Sequence, residues 1–160
     1  MGVIAVRAMQ AADRDAVISI HKQSIYGICK DCYTEREMKA WTARLTPELF
    51  DEGMKDENNI GVVAIDGSAV IANGFFSVKE QELRALYVLP HYTNKGAGRL
   101  IMERLEETAR EKRLKKLALQ STLNAVSFYR SLGYREIKTE RHAVSEDVSV
   151  TCVRMEKELQ

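Results

Sequence analysis

The sequence predicts a single α+β domain (mixed α/β, not doubly wound) over residues 1–160, with a mainly antiparallel sheet of about seven strands flanked by helices. Three features carry this expectation. "NIGVVAIDGSAVIANGFFSV" is two β-rich runs around Asp66-Gly67, a hairpin signal. A strong helical run to about Lys112 stands between the strand-like "ELRALYVLP" and "LKKLALQS", and a helix joining two strands implies a parallel pair. The chain closes on two more β-rich runs, "YREIKTE" and "SVTCVRMEK".

The other elements follow in order. "VIAVRAM" reads as a first strand. "DRDAVISIHKQSIYG" places Ala16, Val17, Ile20 and Ile25 close to helical spacing, with Asp13 as its cap and Gly27 as its end. "TEREMKAWTARL" is a second helix opened by a capping box, in which the Thr34 oxygen and the Glu37 carboxylate satisfy each other's orphan amides. "TPELFDEGM" has a Thr cap and Pro47 at the first helical position, a short third helix. Pro90 ends the strand before it. In the long helix Leu100, Ile101, Leu105 and Ala109 are expected to face a core, and Glu103, Glu106 and Glu107 to face water. "NAVSFYRSLG" is a short helix closed by Gly133. The order is roughly β-α-α-β-β-β-α-β-α-β-β.

Composition narrows the functional classes. At 45% hydrophobic and 29% charged, the 160 residues fall in the globular class. A net charge of +1 gives no general pull toward nucleic acid or a membrane surface, and neither is expected as a partner. There is no apolar run of membrane-spanning length and no signal-like start, so a cytoplasmic location is the default expectation. Cys29, Cys32 and Cys152 are an odd number, which suits a reduced compartment. "CKDC" has redox or zinc spacing, but no second pair and no His pair accompany it, so no metal is expected. His21, His91 and His142 show no metal spacing and read as surface or core residues. "REKRLKK" suits the negative end of the long helix.

The chemistry concentrates at "HYTNKGAGRLIMERLEE". Gly96 and Gly98 sit at a loop-to-helix junction between Lys95 and Arg99. A helix N-terminus offers unpaired N–H groups and partial positive charge, glycines allow close approach, and the two cations add full charge: together an anion site. A tight turn with solvated cations explains the same residues. GxGxxG fails because Ile101 stands at the third glycine position, and the Walker pattern is absent.

"ALYVLP" followed by "TNKGAG" and its helix resembles the acetyl-CoA motif of the GNAT acetyltransferase superfamily. Thr93 stands where that motif has Gln or Arg; Gly96 and Gly98 match its last positions. Downstream, "LNAVSFYRSLGYREI" resembles the family's later motif, with Asn124, Phe128, Tyr129, Leu132, Gly133 and Tyr134 in place. "CYTEREMKAW" is similar to an early stretch of some bacterial members.

The resemblance implies a fold whose central parallel pair splays apart, and direct acetyl transfer from acetyl-CoA to a primary amine without a covalent enzyme intermediate. It implies that Leu86, Tyr87 and Val88 pair with the pantetheine arm, with the Val88 N–H as oxyanion donor. Residues Thr93, Asn94, Lys95, Gly96, Ala97, Gly98 and Arg99 would hold the pyrophosphate, and Asn124 and Phe128 would contact the CoA arm. As a plain helix cap Asn124 is equally explicable. Tyr129 corresponds to the family's general acid near the CoA sulfur; a core aromatic is the alternative. Glu82, in phase with Leu86 and Val88 by period two, corresponds to the catalytic glutamate of several members, against an exposed strand-end carboxylate. Trp41, with Tyr33 and Tyr26, would pack the core or wall the acceptor site. The acceptor, a small-molecule or peptide amine, is left open, and a homodimer is allowed. A non-catalytic acyl-CoA-binding sensor or subunit and an unrelated nucleotide-binding module are the rival readings.

Overall fold

The computed structural model describes residues 2–160. Seven strands form one sheet: β1 (Ile4–Ala8), β2 (Asn59–Asp66), β3 (Ala69–Ser77), β4 (Glu82–Val88), β5 (Lys116–Ser121), β6 (Arg135–Ala143) and β7 (Ser149–Glu158). Their order across the sheet is β1-β2-β3-β4-β5-β7-β6. Every neighbouring pair is antiparallel except β4 and β5. That parallel pair is crossed by α4 (Ala97–Glu111), as the sequence predicts.

Both faces of the sheet are covered, which is why β2 reads as the continuous apolar run "VVA". Val62 and Ala64 join the core under α4, while Val63 packs with Val17 and Phe50 on the opposite face. That second face is roofed by α1 (Arg14–Ile28), α2 (Glu35–Thr42) and α3 (Pro47–Lys55), so three separate helices follow β1. The capping box on α2 forms as expected: Glu37 N–H donates to the Thr34 hydroxyl at 3.1 Å and Thr34 N–H to the Glu37 carboxylate at 2.9 Å. α5 (Val126–Ser131) follows a 3-10 turn at Leu123–Ala125 and ends before Gly133, whose φ of 96° lets the chain reverse into β6.

Four local expectations are corrected. Gly27 does not end α1, which runs on to Ile28; a Cβ there would lie 2.7 Å from the Pro90 ring, so glycine is required by packing. Asp13 precedes α1 but gives its carboxylate to Arg7 in two 2.9 Å bonds and to the Gln10 N–H at 2.7 Å. Glu106 does not face water: it is buried against Tyr134 and Lys157. Leu100 is exposed rather than in the core.

Candidate active site

The parallel pair is short. Only Glu82 and Leu83 of β4 pair with Ala118 and Leu119 of β5, and beyond them the two strands part. N–H groups alternate in direction along a strand. Leu89 N–H donates to the Ile71 carbonyl on the β3 side at 2.9 Å, so the Val88 N–H points away from β3 and into this gap.

At the end of β4 a 3-10 turn at Pro90–Tyr92 and a tight loop lead into α4. Asn94 has φ 61° and Gly96 φ 92°, both left-handed. Nothing lies within 4 Å of a Cβ built on Gly96, and the first intrahelical bond, Leu100 N–H to the Gly96 carbonyl, leaves the preceding amides of the turn free. Lys95 and Arg99 are exposed, Lys95 with its ammonium 5.7 Å from the centre of the Tyr92 ring. The Thr93 hydroxyl is committed to the Pro90 carbonyl at 2.9 Å. Gly98 brings α4 against α5: a Cβ there would sit 3.2 Å from the Phe128 ring and 3.8 Å from Val88. The loop, the end of β4 and the start of α5 therefore converge. Asn124 lies exposed within the 3-10 turn and caps no helix.

Tyr129 is buried among aromatic rings, 5.2 Å from Phe128 and 5.9 Å from Tyr134 between centroids. Burial, with Tyr87 nearby, raises its pKa far above the ordinary phenol value, so it keeps its proton.

On the other side of the gap, between the sheet and α1–α3, lies a cavity of about 670 Å³. None of residues 93–99 lines it, nor does Tyr129. Glu82 does, but not by the phase expected. A β-bulge between Phe75 and Phe76 leaves Arg84 as an extra residue in β4, so Leu83 falls in step with Leu86 and Val88 on the α4 face. Glu82 is thereby turned to the same face as Tyr87, toward the cavity. Trp41 and Tyr33 pack edge to face at 5.4 Å and also line it, so they are both core and wall; Tyr26 is exposed elsewhere.

Three residues of this cavity were not singled out from the sequence as site residues. His21, on α1, meets the Tyr87 ring edge to face at 4.7 Å. Burial lowers its pKa to about 4, with Lys22 and Arg44 adding to the shift, so it is neutral at physiological pH. His142, on β6, accepts a 2.8 Å hydrogen bond at Nε2 from Arg44, and burial and that cation hold its pKa below normal despite Glu82. Asn73 faces the cavity beside Tyr87 in register. His21 Nδ1 and Asn73 Nδ2 are buried without a hydrogen-bond partner among the described residues. Such a group typically costs about 1–3 kcal/mol. No helix among the described residues is long and apolar enough to cross a membrane. Among the described residues no three His, Cys, Asp or Glu side chains cluster as metal ligands would; Cys29 is buried, its pKa pushed up to about 11, and Cys32 is exposed.

A split parallel pair, a glycine turn at the N-terminus of the crossover helix and a cavity across the gap lie together along β4. Residues 29–159 match the GNAT acetyltransferase domain. The chain belongs to this family. It is 23% identical to the uncharacterised N-acetyltransferase YafP of Escherichia coli over 88% of this chain and 87% of that one. With an uncharacterised N-acetyltransferase of Chlorobaculum tepidum it shares 39% identity over 69 residues, so the match spans only 43% of either chain. Among solved structures it superposes on a GCN5-related N-acetyltransferase from Rhodopseudomonas palustris with a TM-score of 0.89, at 20% identity, over 99% of this chain and 98% of that one. PaiA N-acetyltransferase from Thermoplasma acidophilum, solved in complex with coenzyme A, gives 0.82 at 21% identity over 98% and 99%. These two likenesses speak for the GNAT fold. The free amides of the α4 turn, the open space over Gly96 and the unpaired edge of β4 fit a pyrophosphate and an amide-bearing arm such as those of acetyl-CoA.

Proposed function

We propose that this acetyltransferase moves the acetyl group of acetyl-CoA directly onto a primary amine, small-molecule or peptide, bound in the cavity beside β4. The observation that carries the reading is the parting of β4 and β5 after Leu83 and Leu119, with an anion-binding turn at one end and a cavity lined by Glu82 on the other side. Acetyl-CoA supplies an activated acyl group as a thioester. Residues 93–99 hold its pyrophosphate, and Leu86, Tyr87 and Val88 offer backbone groups to its arm, beside Asn124 and Phe128.

The reaction forms a C–N bond and breaks a C–S bond, with the amine losing one proton and sulfur gaining one. An alkylamine is mostly charged at neutral pH, its pKa being about 10.4, so a group must remove that proton. Glu82 is the proposed acceptor, directly or through water. The Val88 N–H meets the charge that grows on the carbonyl oxygen. The Tyr129 hydroxyl, protonated at the start of the cycle, gives its proton to the departing sulfur and regains one from water afterwards. Thiol release from acetyl-CoA against a panel of amines tests the reading; preference for ATP over CoA in binding, or CoA binding with no amine-dependent thiol release, overturns it.

A further inference from the structure

The cavity carries more chemistry than acyl transfer needs. Asn73, 1% exposed, and His21, 6% exposed, present the two orphan polar atoms noted above, and both flank Tyr87. A buried amide nitrogen without a partner calls for an acceptor oxygen on the ligand. The ionic lining is lopsided. Glu82 is its sole carboxylate, while Arg44 and Arg84 supply two guanidiniums, and neither arginine pairs with a carboxylate among the described residues. Arg44 comes from the residues after α2 and reaches His142 on β6, across the cavity. Its charge acts on His21 as well as on His142. Both rings are neutral and leave the positive excess unopposed. Trp41, Phe50, Met54 and Phe75 give the wall an apolar stretch, and Asn59, Gln120 and Thr122 add neutral polar groups elsewhere in the lining.

A polyamine would bring several positive charges to two arginines and one carboxylate. A simple alkylamine would leave the Asn73 amide unpaired. An amine with a carboxylate on the neighbouring carbon meets both needs. Resting on the acetyl-transfer reading, we propose that the acceptor is an α-amino carboxylic acid with an apolar side chain, its carboxylate received by the Asn73 amide and the Arg44 guanidinium. The side chain lies against Trp41 and Phe50, the amine is turned toward Glu82 and the gap, and Arg84 biases the mouth toward anionic ligands.

The test compares leucine, leucinamide, isopentylamine and spermidine as acceptors, by thiol release from acetyl-CoA, with rates corrected for the neutral fraction of each amine. Leucinamide keeps the carbonyl and loses the charge; isopentylamine loses both. The expected order in kcat/KM is leucine, then leucinamide, then isopentylamine, with leucine at least about tenfold above its amide, as a charge-assisted hydrogen bond warrants. Arg44→Gln, at an exposed position, should bring the leucine-to-leucinamide ratio toward one. Calorimetric titration of leucine into the CoA-loaded protein should show binding that weakens in the same variant. Spermidine or isopentylamine turned over as well as leucine, a ratio untouched by Arg44→Gln, or no leucine binding would overturn the proposal. Leucine binding that depends on Arg44, with no amine acetylated, would instead sink the acetyl-transfer reading and leave the ligand assignment standing.

Discussion

The Tyr134 hydroxyl donates to the Glu106 carboxylate at 2.9 Å, and the Lys157 ammonium donates to the other oxygen of the same carboxylate at 2.8 Å. One buried charge thus ties α4 to β7 and to the turn after α5, under the floor that carries Phe128 and Tyr129. Removing one partner of a buried pair leaves the others uncompensated, at about 3–5 kcal/mol where no relief is available. Lys157 is partly exposed and can turn to water, so Glu106→Ala is expected at the lower end, about 3 kcal/mol. For a chain of this size that is a fall in Tm of roughly 6–12 °C. Tyr134→Phe, which deletes one hydrogen bond, should cost about 1–2 kcal/mol. Equal denaturation midpoints for wild type and Glu106→Ala would remove this cluster from the account of stability.

His21 gives the stability a pH dependence of definite sign. Its folded pKa is about 4, below the ordinary 6.5, so the unfolded chain binds the proton more readily. Stability from this group is complete above about pH 6.5 and is lost as pH falls toward 4, by roughly 3 kcal/mol at 1.36 kcal/mol per pKa unit. His142, also lowered, acts in the same direction. Asp13, held below the usual carboxylate range by Arg7, acts only at more acid pH. Melting temperatures between pH 7 and 4 should therefore fall, and fall less steeply in His21→Gln. A parallel decline in the two proteins would deny His21 this role.

Gly96 separates charge from shape. Its φ of 92° disfavours most side chains, but Asn and Asp tolerate left-handed backbone best, and nothing crowds a Cβ there. Gly96→Asn and Gly96→Asp are then nearly isosteric and differ by one negative charge at the proposed pyrophosphate site. Acetyl-CoA affinity, measured by calorimetry, should be at least about tenfold weaker in the Asp variant than in the Asn variant, as charge at a helix N-terminus predicts. Equal affinities would move the pyrophosphate elsewhere.

What the sequence made legible is what is local. The Thr34–Glu37 capping box, the Asp66-Gly67 hairpin and the glycine turn before α4 are each written within a few consecutive residues. What it hid depends on residues far apart. Gly27 looks like a helix end until Pro90 is seen against it, and Glu106 looks solvated until Tyr134 and Lys157 arrive. His21, Asn73 and His142 come from α1, β3 and β6, and no spacing announces that they share one cavity. The phase of Glu82 is hidden because a bulge is invisible to a period-two count: one extra residue, Arg84, turns every side chain before it to the other face.

Tyr129 separates turnover from binding. Its hydroxyl serves only the leaving sulfur in the proposed reaction, whereas its ring packs with Phe128 and Tyr134. Tyr129→Phe keeps the ring, so acetyl-CoA affinity should stay near that of the wild type while kcat falls at least about tenfold. Wild-type turnover in the Phe variant would leave Tyr129 a packing residue.

Glu82 is the sharpest case, because the bulge delivers it to the cavity and not to the α4 face. It has no ion-pair partner among the described residues, and its charge reaches His142 across the same space. Glu82→Gln keeps the shape and removes the basicity. A positioned base typically contributes ~10²–10⁴-fold, so kcat/KM at neutral pH should fall by at least about tenfold. The deficit should shrink as pH rises, because more of the amine is then already neutral and less is asked of the base. His142 offers the competing route: it is neutral, and its Nε2 is occupied by the Arg44 guanidinium, so only the other nitrogen is available and it bears the proton. That geometry makes His142 a poor proton acceptor until Arg44 moves. His142→Gln should therefore cost less than Glu82→Gln at every pH. A Glu82→Gln profile that overlays the wild type, together with a steep loss in His142→Gln, would transfer the role of base to the histidine.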